Sequence, residues 1–243
     1  MDLIKVNKTA LAGFNQIINL SNELQQEHKK DAAWFDTPEK RMQWWMELEA
    51  QWKRAFSEAV FFKQISPTEM PADEMLQHLF ELASLQVCGN MKKTAYRNNN
   101  ADIDFQLTNL SGVKHLTNLT RIECDYNGLI TSLEPLQNLK KLEVLWCDNN
   151  SIVDLSPLVA LPSLVDFCCW NNQVIDISIF SAMPQLRNVT LALYGHGNPI
   201  KSYAPLQNLP NLRYAYVLST PETLLLKETM VDTYVRISTF REW

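Results

Sequence analysis

Three thiols recur along the chain at nearly constant intervals: Cys124, Cys147 and Cys169. Thiolates on neighbouring strands are the beginning of a zinc site, and two close thiols the beginning of a disulfide. A tetrahedral site needs a fourth ligand, however, and the next members of the series are Leu191 and Val217. The series therefore reads as small buried hydrophobes filling a column, reduced and without metal. The chain has 5 cysteines, an odd number without metal-ligand spacing, which favours free thiols in a reducing compartment. Its 4 histidines, His28, His78, His115 and His196, lie in unrelated segments. A lone loop histidine is far more often solvated than a base, so only His196, between Gly195 and Gly197, invites attention. Cys88 and Cys168 are expected to face outward with no histidine in register, which leaves a nucleophilic role unsupported.

Carboxylates and indoles lie near the same thiols: Asp125, Asp148 and Asp166, with Trp146 and Trp170 among them. A few carboxylates on flat strands supply too few oxygens for a dedicated calcium site. Rings beside charged groups are instead the material of binding hot spots. No nucleophile–base pair, metal cluster or phosphate loop is legible, and the 243 residues include only 6 glycines. The net charge is −5 and the Lys and Arg residues are scattered, whereas nucleic-acid phosphates call for a basic stripe. No run approaches the roughly 18 apolar residues of a membrane span. The first residues lack the charged-then-apolar order of a signal peptide, so a cytoplasmic location is expected; a chain trimmed of its leader would read the same way.

A repeat must position these groups. From Asn150 the apolar residues fall at Ile152, Leu155, Leu158, Leu161, Leu164, Phe167 and Cys169, and the next asparagine is Asn172, 22 residues on. The series returns as Val174, Ile177, Phe180, Met183, Leu186, Val189 and Leu191. Working back from Asn127 gives Leu107, Leu110, Val113, Leu116, Leu119, Ile122 and Cys124. Asn127 to Asn150 spans 23 residues, one being added near Gly128. Asn198 follows Asn172 by 26, so about four residues around Tyr194-Gly195-His196-Gly197 are inserted. A spacing of three alone would suit an amphipathic helix. Just before each asparagine it shortens to two (Leu145 to Cys147, Val189 to Leu191), which marks a short strand entering a tight turn. No unit buries its apolar face alone, so the units stack into a solenoid with a parallel sheet on one side.

The segments Leu-Val-Asp-Phe-Cys-Cys-Trp-Asn-Asn-Gln-Val-Ile-Asp-Ile and Leu-Glu-Val-Leu-Trp-Cys-Asp-Asn-Asn-Ser-Ile-Val-Asp-Leu-Ser-Pro-Leu resemble the short class of leucine-rich repeats found in bacterial internalins. The resemblance covers roughly residues 107–218 and implies a curved solenoid whose concave sheet binds other proteins. An earlier unit is expected on Leu82, Leu85, Val87 and Asn90, followed by an insertion at 91–105. The expected fold class is α/β: a right-handed leucine-rich-repeat solenoid with a parallel concave β-sheet and an α-helical N-terminal cap. About six strands are expected, at 85–87, 122–124, 145–147, 167–169, 189–191 and 215–217. The expected divisions are 1–81 for the cap, 82–218 for the repeats and 219–243 for a C-terminal cap.

The ends differ in character. Leu11, Phe14, Ile17 and Ile18 fit an amphipathic helix. Thr37-Pro38-Glu39 starts another, which carries Met42, Trp45, Met46, Trp52, Phe56 and Val60 until Ser66-Pro67 breaks it. Asp73 opens a third through Leu76 and Leu79. The stretch from Trp44 to Phe61 is similar to segments that precede short leucine-rich repeats in bacterial proteins of unknown role, and it implies no activity. Such helices read as a cover for a core that a terminal repeat would expose. At the other end Thr220-Pro221-Glu222 and Leu224-Leu225-Leu226 close the solenoid, and Val231 to Trp243 suits either a strand or a loop.

Alternation along the strands sorts the outward residues into columns. The candidate binding face is Arg121, Glu123, Asp125, Trp146, Asp148, Asp166, Trp170, Tyr214 and Tyr216, with Trp146 and Trp170 as anchors. Either these rings meet a partner, or the cap, the 91–105 insertion or the tail folds over them. The function implied is a non-catalytic module binding a protein or peptide, the acids favouring a basic partner. A structural or surface-protein spacer, and an enzyme with its site between cap and repeats, are the alternatives. No cofactor, metal or nucleic acid is expected.

Overall fold

The computed structural model describes residues 37–89 and 105–239. The expected first helix, His28, Asn90 and the insertion up to residue 104 lie outside the described residues. Helix α1 (Pro38–Glu47) starts where Thr37 accepts the Lys40 N–H and Pro38 fills a first-turn position that needs no donor. Leu48 and Glu49 are extended, and α2 (Ala50–Ala59) follows, so the single helix expected as far as Ser66 is two. Packing makes this break, without a Pro or Gly: it lets Trp45 and Trp52 both converge on Phe56, all three rings being buried. Helix α3 (Asp73–Glu81) is clamped to α1 by Arg41, whose Nε and Nη2 donate to the two Asp73 oxygens.

Seven strands then form one sheet in chain order, every pair parallel: β1 (Ser84–Gln86), β2 (Arg121–Glu123), β3 (Val144–Trp146), β4 (Asp166–Cys168), β5 (Asn188–Thr190), β8 (Tyr214–Leu218) and β9 (Tyr234–Ser238). The repeat strands begin one residue before their expected positions. Their faces are unchanged, because the backbone ladder runs on beyond them through Cys124 N–H to Trp146, Cys147 N–H to Cys168 and Cys169 N–H to Thr190. The weakly alternating tail is a strand, β9, reached through α4 (Pro221–Thr229), which makes the sheet one strand wider than expected. The insertion before Asn198 is a small antiparallel hairpin, β6 (Ala192–Leu193) with β7 (His196–Gly197).

Inward residues Leu85, Ile122, Leu145, Phe167, Val189, Ala215 and Val235 pair in register and belong to one apolar cluster that also holds Trp44, Trp52 and Phe56. Short 3₁₀ turns carry the chain back, each first turn capped from an equivalent position: Asn109, Ser132, Asp154, Asp176 and Ser202 accept the N–H two residues on. Both ends of the solenoid are closed on this turn. Glu49 accepts from Asn109 and Ser111, while Glu222 accepts from Ser202, Tyr203 N–H and Ala204 N–H. Trp52 lies so close over Gly112 that a Cβ there would sit 2.2 Å from the ring.

The asparagines tie the units together. Asn172 Nδ2 donates to Cys147 O and Cys169 O, each at 3.0 Å, and its Oδ1 accepts Ile152 N–H at 2.9 Å. Asn198 repeats the pattern with Cys169 O, Leu191 O and Val174 N–H, and Asn127 with Val87 O, Cys124 O and Leu107 N–H. Asn150 keeps the two carbonyl contacts, Cys124 O and Cys147 O, but its buried Oδ1 has no partner among the described residues. The segment that would answer it is the one carrying the residue added near Gly128. Asn172→Ala should therefore destabilise the chain more than Asn150→Ala, by about 1 kcal/mol, because it also strands Ile152 N–H. Urea unfolding midpoints of the two variants test this; equal losses would count against a stabilising role for the Asn172–Ile152 hydrogen bond.

Candidate functional site on the concave sheet

Two outward columns arrive as alternation requires: Arg121, Val144, Asp166, Asn188, Tyr214 and Tyr234 pair along one line, and Glu123, Trp146, Cys168, Thr190, Tyr216 and Arg236 along the next. Their side chains are knitted across strands. Arg121 donates to Glu123 at 2.8 Å and lays its guanidinium 4.2 Å from the Trp146 ring centroid. Trp146 Nε1–H donates to Asp166 Oδ1 at 3.1 Å, and Asp166 Oδ2 accepts from Asn188 at 2.8 Å. Farther along, Tyr214 packs edge-on to Tyr234, and the Arg236 guanidinium lies 5.7 Å from the Tyr216 ring centroid. A cleft of about 460 Å³ opens here, bounded by Trp146, Asp148, Asp166, Cys168, Trp170, Tyr214, Tyr216 and Arg236.

The third column differs from the expectation. Asp125, Asp148 and Trp170 face outward by register yet are 1%, 5% and 8% exposed, and Cys88 is likewise buried. Trp170 is enclosed by Tyr126 and Tyr194, both edge-on with centroids 6.4 and 6.3 Å away, and by His196 at 6.5 Å. The cause is the hairpin insertion, which carries Tyr194 and His196 against the ring. Tyr126 and Tyr194 hold left-handed backbone, φ 58° and 52°, as Asn149 and Asn171 do where the other strands enter their turns. Asp125 Oδ1 accepts Asp148 N–H, and Asp148 accepts from Asn149 Nδ2 at 2.8 Å and the Cys168 thiol at 3.6 Å. These acids serve the strand ends, and Trp170 is a packing residue before it is a contact. Trp146, Glu123, Asp166 and Tyr216 remain half-buried and Tyr214 is exposed, so the accessible part of the expected face is its first two columns.

Arg236 and Tyr234 were absent from the expected face, because no repeat offset reaches the tail. The signal was the alternation of Val235 and Ile237 with Tyr234 and Arg236, too short to decide alone. Cys88, Glu123 and Asp125 bring potential metal-ligand atoms within 4.8 Å of one another. Both Glu123 oxygens already accept hydrogen bonds, from Arg121 and Gln86, as does Asp125 Oδ1 from Asp148 N–H.

All five cysteines are free, and Cys124, Cys147 and Cys169 are fully buried as their column predicts. Burial raises the pKa of each thiol, and nearby Asp148 or Asp125 carboxylates raise it further. Half-buried Cys168 is pushed up for the same reasons. Alkylation of the buried three should run at least about tenfold slower in the native chain than in denaturant. A disulfide among them, or stoichiometric zinc, by intact mass would overturn the packing account. The tryptophans should separate in stability: Trp170→Ala by about 3 kcal/mol, Trp146→Ala by about 1 kcal/mol, the worth of a half-exposed ring under a guanidinium. Equal melting-temperature losses would contradict this division of roles.

Comparison with known proteins agrees with this geometry. Residues 117–160 match the family model described as leucine-rich repeats in two copies. No curated protein matches the sequence. An internalin of Listeria monocytogenes superposes with a TM-score of 0.56 at 22% identity, covering 78% of this chain and 51% of its own. The chain thus spans about half the length of that protein. Internalin C2 of the same bacterium gives a TM-score of 0.44 at 20% identity, with 77% of this chain and 92% of its own covered. Repeat period, parallel sheet and asparagine ladder together give this chain a leucine-rich-repeat solenoid fold like that of internalins, with a helical N-terminal region.

Proposed function

We propose that the chain is a non-catalytic interaction module whose concave sheet takes a protein or peptide segment carrying basic side chains. The observation behind this reading is the preordered row from Arg121 through Trp146 and Asp166 to Asn188, half-buried and cross-bonded before any partner arrives. Side chains already held in place lose little freedom on binding, so contact energy is kept as affinity. The cleft beside the row contains more carboxylates than guanidinium groups, which favours approach by a positively charged segment. The alternative of an enzyme site between cap and repeats is less well supported, since that junction is filled by Trp52 against Gly112. We infer a reducing compartment as well, because the thiols are free.

A rival surface exists. Leu129, Val153 and Ile175 recur just after the asparagine turns and are 53%, 55% and 40% exposed. A displayed random-peptide library selected on the intact chain decides between the two. Selected peptides should lose about tenfold or more in affinity on Trp146→Ala or Tyr216→Ala, measured by calorimetry. Their association should also slow as salt rises. Peptides indifferent to both changes but sensitive to Val153→Ser or Ile175→Ser would move the site to the rival stripe and overturn the concave reading, as would a selection without binders.

A further inference from the structure

The geometry points to an arginine side chain as the group that the concave cleft receives; this rests on the concave reading and narrows it. Asp148, 5% exposed, and half-buried Asp166 both border the cleft, and neither has an ion-pair partner among the described residues. Their bonds are with neutral groups: the Asn149 amide and Cys168 thiol for Asp148, the Trp146 indole and Asn188 amide for Asp166. A carboxylate withdrawn from water and answered only by neutral donors gains most from a cation. The guanidinium of Arg121 is spent on Glu123, and that of Arg236 lies over Tyr216.

The aromatic walls select the kind of cation. Two rings of the cleft already carry guanidinium groups of the chain itself, Arg121 over Trp146 and Arg236 over Tyr216. Planar, weakly hydrated guanidinium stacks on such faces while its fork of donors serves carboxylates at the edge. Ammonium is compact and strongly hydrated and does neither as well. The volume of about 460 Å³ suits one long side chain with its backbone outside, and is far too small for a helix about 10 Å across. The incoming guanidinium would meet the half-buried Asp166 beside the Trp146 and Tyr216 rings, with the buried Asp148 adding its charge from the cleft wall.

The test uses N-acetyl-arginine methylamide with its lysine and citrulline counterparts, titrated into the full chain while the Trp146 indole N–H is followed by NMR. Citrulline keeps the shape of arginine and removes its charge. The arginine probe should shift the signal saturably, with a Kd on the order of millimolar. The lysine probe should bind at least about threefold more weakly and the citrulline probe about tenfold. Asp166→Asn, which retains an acceptor for the indole, should weaken the arginine probe about tenfold with the melting temperature nearly unchanged. Equal binding of citrulline or lysine, indifference to Asp166→Asn, or no saturable shift would overturn the inference. Library peptides that depend on Trp146 and Tyr216 but lack arginine would overturn it while leaving the concave reading in place. Peptides independent of both rings would remove the reading itself.

Discussion

Strands β2 to β5 each lead into a turn whose carbonyls have no further sheet to join, and an asparagine amide, from Asn127, Asn150, Asn172 or Asn198, answers them. The Nδ2 of Asn172 reaches Cys169 of its own unit and Cys147 of the unit before, so one side chain bridges two coils. A buried carbonyl left unanswered costs about 1–3 kcal/mol, and the same answer is given at Asn127, Asn150 and Asn198. The register of neighbouring strands follows from the bridge. Fixed register then fixes which residues share a column: the thiols inside, and the Arg121–Trp146–Asp166 row outside.

Because the bridge is local to the turn, changes of length between turns leave the sheet intact. The unit with the extra residue near Gly128 keeps its strand register on both sides. The larger insertion before Asn198 builds a hairpin, yet Asn198 still reaches Cys169 O and Val174 N–H. The insertion acts on the column at the strand ends, where Tyr194 and His196 pack against Trp170. Function can therefore vary in the loops while the frame stays constant.

That separation explains what was legible in the sequence. The strand faces and columns were readable because a two-residue alternation before a recurring asparagine leaves little freedom, and Glu123, Trp146, Cys168 and Tyr216 line up as the offsets require. Burial of Trp170 was not readable, since it depends on rings from Tyr126 and an inserted hairpin that no period describes. The break at Leu48-Glu49 carries no Pro or Gly and comes from aromatic packing around Phe56. The sequence does not decide β9, because five residues of weak alternation look alike in strand and loop until β8 supplies a partner.

The accessible cleft lies where the regular and irregular parts meet. Its Trp146 and Asp166 come from strands inside the repeat array, and its Arg236 comes from a strand that follows a helix instead of a repeat turn. A strictly periodic sheet would present the same column of groups along its length, suited to a surface of matching repetition. Replacing the last return segment by α4 and β9 adds Arg236 next to Tyr216 and closes one end of the groove. At the other end the Arg121–Glu123 pair neutralises itself. The carboxylates that have no ion-pair partner among the described residues, Asp148 and Asp166, border the cleft between these flanks. Two guanidinium groups engaged at the flanks and two carboxylates without a cation at the centre form a pattern that one positive side chain completes, and that a second cation nearby would meet with repulsion.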